Sequence, residues 1–186
     1  MVVVGMQELG ASSNRDAWGA ALLEHLNAPA SKRSGRSKTF GSGDRRDSVR
    51  ATGESALFHL VAKVGLWEMG LWLFVRSPHI PHVTVLGTGT EATGLKLGKT
   101  GKQLGNKGGL GIAVRWRDVS MAFVGCHLAA RPERIPQRER DYRQIVSRLR
   151  LGPYTGLDLL HEHEHVFWFG DLNYRIGHDF DDTCEM

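Results

Sequence analysis

Three apolar runs in this 186-residue chain each end in residues suited to catalysis. Val2–Gly5 leads into Gln7-Glu8. Met121–Gly125 leads into Cys126-His127, and Val166–Phe169 into Gly170-Asp171-Leu172-Asn173. Short apolar runs bounded by glycine read as buried strands. Strand ends at one edge of a sheet converge on a site. The residue types suit metal-assisted attack on phosphorus. Glu8 is a hard oxygen ligand of the kind Mg²⁺ takes while keeping several waters. Asp171 can orient a nucleophilic water or serve as general base. Asn173 can donate to a phosphoryl oxygen without repelling it. His127 can hydrogen-bond the same phosphate, neutral or charged, and Arg175 supplies a planar fork for phosphate. Each residue alone has a plainer reading: a histidine near a strand end is often structural, and Asp-x-Asn is often only a turn. The combination carries the argument.

A second polar stretch needs its own account. The chain has 23 glycines in 186 residues, against a usual share of roughly 7%, and many lie between Gly87 and Gly111. Gly87-Thr88-Gly89-Thr90-Glu91-Ala92 matches G-x-G-x-x-A after a strand, the opening of a dinucleotide site. The helix such a site needs would carry Gly94, Gly98, Gly101 and Gly105, each costing about 1 kcal/mol relative to alanine, so that reading is rejected. Gly94-Leu95-Lys96-Leu97-Gly98-Lys99-Thr100 is one residue too short for a phosphate-binding P-loop. What survives is a flexible loop with Lys96, Lys99, Lys102 and Lys107, ending in Gly105-Asn106-Lys107-Gly108-Gly109. Glycine lets backbone amides approach a ligand, and lysine brings positive charge. A phosphate-bearing substrate suits it, and composition fits a plain mobile lysine-rich loop as well.

These segments must be held by ordinary elements. Asn14 can cap a helix with Trp18, Ala21, Leu22 and Leu26 on one face, stopped near Pro29. Strands are expected at Leu57–Val64, Gly70–Val75 and His82–Leu86. Leu110–Trp116 and Val119–Gly125 form a probable hairpin about Arg117-Asp118. Gln137–Leu151 reads as a helix, with Tyr142, Ile145, Val146 and Leu149 at helical spacing and Gly152-Pro153 as its stop. Many strands with a few helices between them make an α/β or α+β sandwich.

Composition bounds the rest. Apolar residues are 41% and charged residues 24%, close to a globular average. One domain is expected. No apolar run approaches the roughly 18–20 residues of a membrane span, and no signal peptide is visible. Two cysteines make no disulfide framework, which points to a reducing, intracellular compartment. The net charge is +4, which permits an anionic partner without naming one. Residues 31–50 hold seven basic residues against Asp44 and Asp47, and read as a solvated loop or disordered insertion. His161-Glu162-His163-Glu164-His165 puts three imidazoles on one face if extended. It also suits a polar approach to the Val166 strand, and a surface histidine cluster without partners that fix its rings rarely holds a structural metal.

Phe167-Trp168-Phe169-Gly170-Asp171-Leu172-Asn173-Tyr174-Arg175 resembles the W-x-G-D-x-N-x-R signature of the inositol polyphosphate 5-phosphatases, in the endonuclease/exonuclease/phosphatase superfamily. Gly105-Asn106-Lys107-Gly108-Gly109 resembles that family's G-N-K-G-G segment. Cys126-His127-Leu128-Ala129-Ala130 resembles its S-H-L-A-A segment, nearest the type II enzymes. Gly5-Met6-Gln7-Glu8 resembles the G-x-Q-E around its metal-binding glutamate. The order and approximate spacing agree across nearly the whole chain. The resemblance implies a DNase I-like four-layer sandwich of two mixed β-sheets flanked by helices. It implies Mg²⁺-dependent removal of the 5-phosphate from phosphoinositide lipids or soluble inositol phosphates. It carries metal binding onto Glu8, and phosphate contact and catalysis onto His127, Asp171 and Asn173. It carries substrate contact onto Asn106 and Lys107. Arg175 matches the motif and either touches substrate or supports the site. A cytoplasmic enzyme, peripheral on anionic membranes and without a nucleic-acid partner, is expected.

There are departures. The family's asparagine before the Q-E segment has no counterpart here, and neither do its P-x-W-C-D-R and S-D-H segments. Residues 1–186 are therefore expected to be a partial, incomplete catalytic domain, truncated at both ends, with a basic Ser/Gly-rich insertion at about 28–55. The family's R-R-N-Q-x-Y stretch appears as Gln137-Arg138-Glu139-Arg140-Asp141-Tyr142, where Glu139 replaces the amide. Two alternatives stand beside the enzyme: a non-catalytic phosphoinositide-binding remnant, and a nuclease or sphingomyelinase of the same superfamily. The G-N-K-G-G segment speaks against the latter.

Overall fold

The computed structural model describes residues 1–29, 56–93, 95–97, 102–104, 106–153 and 156–174. Arg175 and all but the first two residues of the expected insertion lie outside the described residues. Two sheets stack face to face. The first has the order β1-β3-β2, all antiparallel: β1 is Val2–Met6, β2 Phe58–Leu66 and β3 Met69–Arg76. The second has the order β4-β7-β8-β9. It is built from β4 (Val83–Ala92), β7 (Gly108–Trp116), β8 (Val119–His127) and β9 (His165–Asp171). β8 and β9 are parallel; the other pairs are antiparallel. Helix α1 (Asn14–Asn27) covers the first sheet, and helix α2 (Ile135–Arg148) covers the second. These are the four layers expected.

Strand periodicity explains the layering, since alternate residues face opposite sides. Leu71, Leu73 and Val75 of β3 meet Leu110, Ile112 and Val114 of β7 between the sheets. Trp72 and Phe74 point the other way, toward Leu22, Leu23 and Leu26 of α1. On the far side of the second sheet, Ala113, Ala122, Val124 and Cys126 pack against Ile145 and Leu149.

That last layer also accounts for the glycines. A Cβ on Gly109 would lie 2.7 Å from Ile145, and one on Gly111 would lie 2.6 Å from Leu151. A Cβ on Gly87 would overlap the backbone of Leu151. The strands are bare where the helix and the segment after it come closest. Gly87 through Ala92 is accordingly strand, not a phosphate loop.

Several local expectations shift. Ser13 occupies the cap position of α1 without a side-chain hydrogen bond, and Asn14 is the first helical residue. Trp18 is exposed, and Gly19 is the residue that meets Trp72. β4 runs six residues past Leu86. The stretch expected as a flexible loop contains two paired strands, β5 (Leu95–Leu97) and β6 (Lys102–Leu104). α2 starts at Ile135 and ends at Arg148; of the expected face Ile145 and Leu149 are buried and Tyr142 is exposed, and Arg138 and Asp141 are buried beside Ile145. The hairpin turn is confirmed: Trp116 pairs with Val119, and Arg117 takes a φ of 53°.

The three histidines of 161–165 do not share one extended face. His161 and Glu162 lie in a short helix, α3 (Leu159–Glu162), and His165 begins β9. His163 between them is buried.

Candidate active site

The parallel pairing of β8 and β9 fixes the centre of the site. It sets His127 opposite Asp171, each as the last residue of its strand. β1 delivers the third group. Gly5 of β1 lies against the ring of Phe169, so closely that a Cβ there would sit 2.6 Å away. Beyond β1 the chain turns sharply: Glu8 has a φ of 56° and Gly10 a φ of 81°. Buried Leu9 anchors this turn, its N–H donating to Glu68 O at 3.0 Å and its carbonyl accepting from Asn14 Nδ2 at 2.8 Å. Asn14 therefore serves the site turn rather than the helix cap.

His127 is the hub. Its side chain is 3% exposed. Its Nε2 lies 3.3 Å from Asp171 Oδ2 and 3.9 Å from Glu8 Oε1, and it is in contact with Lys107 Nζ. Burial holds the His127 imidazole below its ordinary pKa. Lys107 adds to that, and Asp171 and Glu8 oppose it. Lys107 is likewise pushed down by burial, with Asp171, Glu8 and Asp141 pulling it up. Neutral at pH 7, His127 accepts at Nε2 from the Lys107 ammonium. The carboxylates stay wet: the side chain of Asp171 is 48% exposed and that of Glu8 73%.

Asn173 sits directly behind. Its backbone N–H donates to Asp171 Oδ1 at 3.0 Å, an Asx turn, and its φ is 52°. One side-chain N–H donates to Leu128 O at 3.0 Å. The plain turn reading of Asp-x-Asn is thus realised, and it is the turn that orients both side chains. Asn106 is exposed, one residue before Lys107. Lys107 itself is tied by its carbonyl to Thr93 N–H at 2.9 Å. The structure therefore brings Glu8, Lys107, His127 and Asp171 together, with Asn173 supporting them and Asn106 at the rim.

Two residues of the site were given no contact from sequence. Arg138 is buried in α2 and donates to Ala129 O at 3.1 Å, Arg131 O at 2.6 Å and Pro132 O at 3.3 Å. Asp141 accepts from Ala129 N–H at 3.2 Å. Leu128 N–H in turn donates to Asp171 O at 3.0 Å. The two charged residues hold the segment that follows His127. The usable signal was their i, i+3 spacing in register with Ile145.

The neighbouring thiol is no nucleophile. Cys126 is buried, receives Trp168 Nε1–H at 3.1 Å, and has its pKa pushed up to about 12 by burial.

The donor set fits a hard divalent cation. Two carboxylates from separate strand ends flank one imidazole, with no sulfur among them. Among the described residues no three His, Cys, Asp or Glu side chains are grouped to hold an ion by themselves. A hard cation held there would take only part of its ligands from these side chains and the rest from water and phosphate.

The model of endonuclease/exonuclease/phosphatase family 2 matches residues 1–185. Phosphatidylinositol 3,4,5-trisphosphate 5-phosphatase 2B of Danio rerio is 32% identical over 144 residues, covering 75% of this chain and 11% of that protein. Synaptojanin-2 of Rattus norvegicus is 32% identical over 134 residues, covering 72% of this chain and 8% of that protein. The crystal structure of the inositol polyphosphate 5-phosphatase domain of SPsynaptojanin, in complex with inositol (1,4)-bisphosphate and calcium ion, superposes with a TM-score of 0.67 at 27% identity. That match covers 98% of this chain and 46% of that domain. The chain thus spans about a tenth of the curated relatives it matches and under half of the solved domain.

Proposed function

Because the chain belongs to endonuclease/exonuclease/phosphatase family 2, and its relatives are 5-phosphatases of phosphoinositides and inositol polyphosphates, we propose that it supplies part of the site of a Mg²⁺-dependent phosphatase. That enzyme removes the 5-phosphate from phosphoinositides or soluble inositol phosphates. The observation that carries this reading is the cluster about His127 Nε2, where the amine of Lys107 and two carboxylates meet the imidazole.

Each residue has a role that follows from its placement. Lys107 donates to phosphate oxygens as a point charge. His127 hydrogen-bonds the same group and, on taking a proton, offsets charge that develops there. Asp171 faces outward from the strand end and accepts a proton from the attacking water. Asn173 holds Asp171 in its rotamer and fixes Leu128. Glu8 would hold Mg²⁺, whose contribution when bound is to polarise the phosphoryl group and stabilise the leaving oxygen. By motif, Asn106 contacts substrate, and Arg175 either contacts it or supports the site. The enzyme would be cytoplasmic and peripheral on membranes.

Beside it stands a second reading, a phosphoinositide-binding unit without turnover of its own. One experiment separates these. The chain is incubated with soluble inositol polyphosphate or with duplex DNA, in Mg²⁺ or in chelator. Binding is followed by calorimetry, and turnover by phosphate release and DNA nicking. Binding of inositol polyphosphate, weakened by chelator, with no nicking, is expected, and turnover by the 186-residue chain is expected to be little or none. Robust phosphate release abolished by Asp171→Ala would exclude the binding-only reading. Nicking without inositol phosphate binding would overturn both.

A further inference from the structure

The outer face of the first sheet carries a groove that the cluster at His127 does not use. It runs between α1 and β2 as two cavities of about 270 Å³ each, which share Asp16, Lys63 and Trp72. The first is polar and lies at the start of α1, walled by Ser12, Ser13, Arg15 and Gly65. The second is apolar, walled by Gly19, Ala20, Leu23 and Leu60. We propose that this groove binds a small organic monocarboxylate. Its carboxylate lies between Arg15 and Lys63, its apolar group lies against Leu23 and Leu60, and a carbonyl accepts from Trp72 Nε1–H. The groove holds such a ligand whether or not the chain hydrolyses phosphate.

Three observations carry it, and each fixes one part of the ligand. Trp72 fixes the carbonyl. Its side chain is 1% exposed, and its Nε1–H has no acceptor among the described residues. The ring nitrogen faces the bare backbone of Gly19, where a Cβ would lie 2.7 Å from it. That edge of the indole is therefore left on the wall of the second cavity. A buried donor without a partner costs about 1–3 kcal/mol, which an acceptor on a ligand recovers in part. Charge fixes the head group. The Arg15 side chain lies across Gly65 and makes no ion pair with a described residue. Lys63 is bonded to Asp16 at 2.7 Å and holds that carboxyl below its ordinary pKa, so Asp16 is ionised at neutral pH. Arg15, Lys63 and Asp16 together leave one positive charge, which balances a monoanion and not a phosphate dianion. Ser13 stands at the cap position without a side-chain hydrogen bond, so its hydroxyl and the positive end of the helix add to that preference. The second cavity fixes the apolar group. Leu60 is 36% exposed at its rim and Leu23 is half-buried, so a branched aliphatic group would cover apolar surface that now meets water.

The test is a titration of the chain with N-acetyl-leucine, which joins a carboxylate, one amide carbonyl and a branched aliphatic side chain. The indole N–H signals of the five tryptophans are followed by NMR, that of Trp72 being assigned by its nuclear Overhauser contact with Gly19. Saturable movement of the Trp72 signal is expected. N-acetyl-leucine amide lacks the charge and acetate lacks the apolar group, and each should bind at least about tenfold more weakly. Arg15→Gln should weaken N-acetyl-leucine by about tenfold. Asp16→Asn should tighten it, a change that loss of structure does not produce. A Trp72 signal that stays fixed throughout the titration, equal affinity for the amide, or an Arg15→Gln variant that binds like the parent chain would overturn the proposal.

Discussion

β8 and β9 run parallel, and a buried histidine stands beside an acid at each end of the pair: His127 with Asp171 at one, His163 with Glu162 at the other. The rings are surrounded differently. Nε2 of His127 touches Lys107 and faces two carboxylates that water reaches. The side chains of His163 and Glu162 are 1% and 2% exposed, and neither ring nitrogen of His163 has a hydrogen-bond partner. A phosphate arriving from solvent could exchange contacts with the first histidine and could not reach the second. Similar residue types therefore make a site at one end and part of the core at the other. What separates them is the turn that leaves Glu8 and Asp171 exposed.

The largest effect should come from removing the brace behind the first histidine. Arg138→Ala leaves three carbonyls without their donor and is expected to cost about 3 kcal/mol, read by urea unfolding. An effect under ~1 kcal/mol would show that the segment after His127 holds itself. Next is Lys107→Ala. Loss of a charge-assisted hydrogen bond of about 1.5–3 kcal/mol should weaken inositol polyphosphate binding by one to two orders of magnitude, with unfolding stability little changed. The smallest effect belongs to the other end. His163→Leu removes a buried imidazole whose ring nitrogens make no hydrogen bond, so stability at pH 7 should be unchanged or raised by up to ~1 kcal/mol.

The pH dependence of His163 sharpens the contrast. Burial holds its pKa below the ordinary imidazole value, with Glu162 pulling the other way. As pH falls below that ordinary value of about 6.5, the unfolded chain takes a proton that the folded chain resists. Stability is therefore fully present above this range and declines on acidification. His163→Leu should make the acid limb shallower. Binding of inositol polyphosphate should be untouched by it at any pH.

Much of this was legible in the residues. Glycine-bounded apolar runs announced β1, β8 and β9, and the polar residues just past them announced Glu8, His127 and Asp171. Alternation could not say which helix face would be buried. Arg138 and Asp141 carried no assigned contact, and their burial depends on Gly109 letting α2 approach closely at Ile145. Asn14 looked like a cap because its type suits one, and only the tertiary turn at Leu9 claims its amide. The 161–165 run could present three imidazoles on one face only if extended, whereas Asp158 caps a short helix there by accepting from the N–H groups of Leu160 and His161.

The central claim is that His127, not His163, meets the phosphate. The most direct test follows the ring nitrogens of both by NMR while inositol polyphosphate is titrated into the protein with Mg²⁺. The account requires the His127 resonances to move with ligand concentration while those of His163 stay fixed. Movement of His163, or a still His127 at saturating ligand, would contradict it.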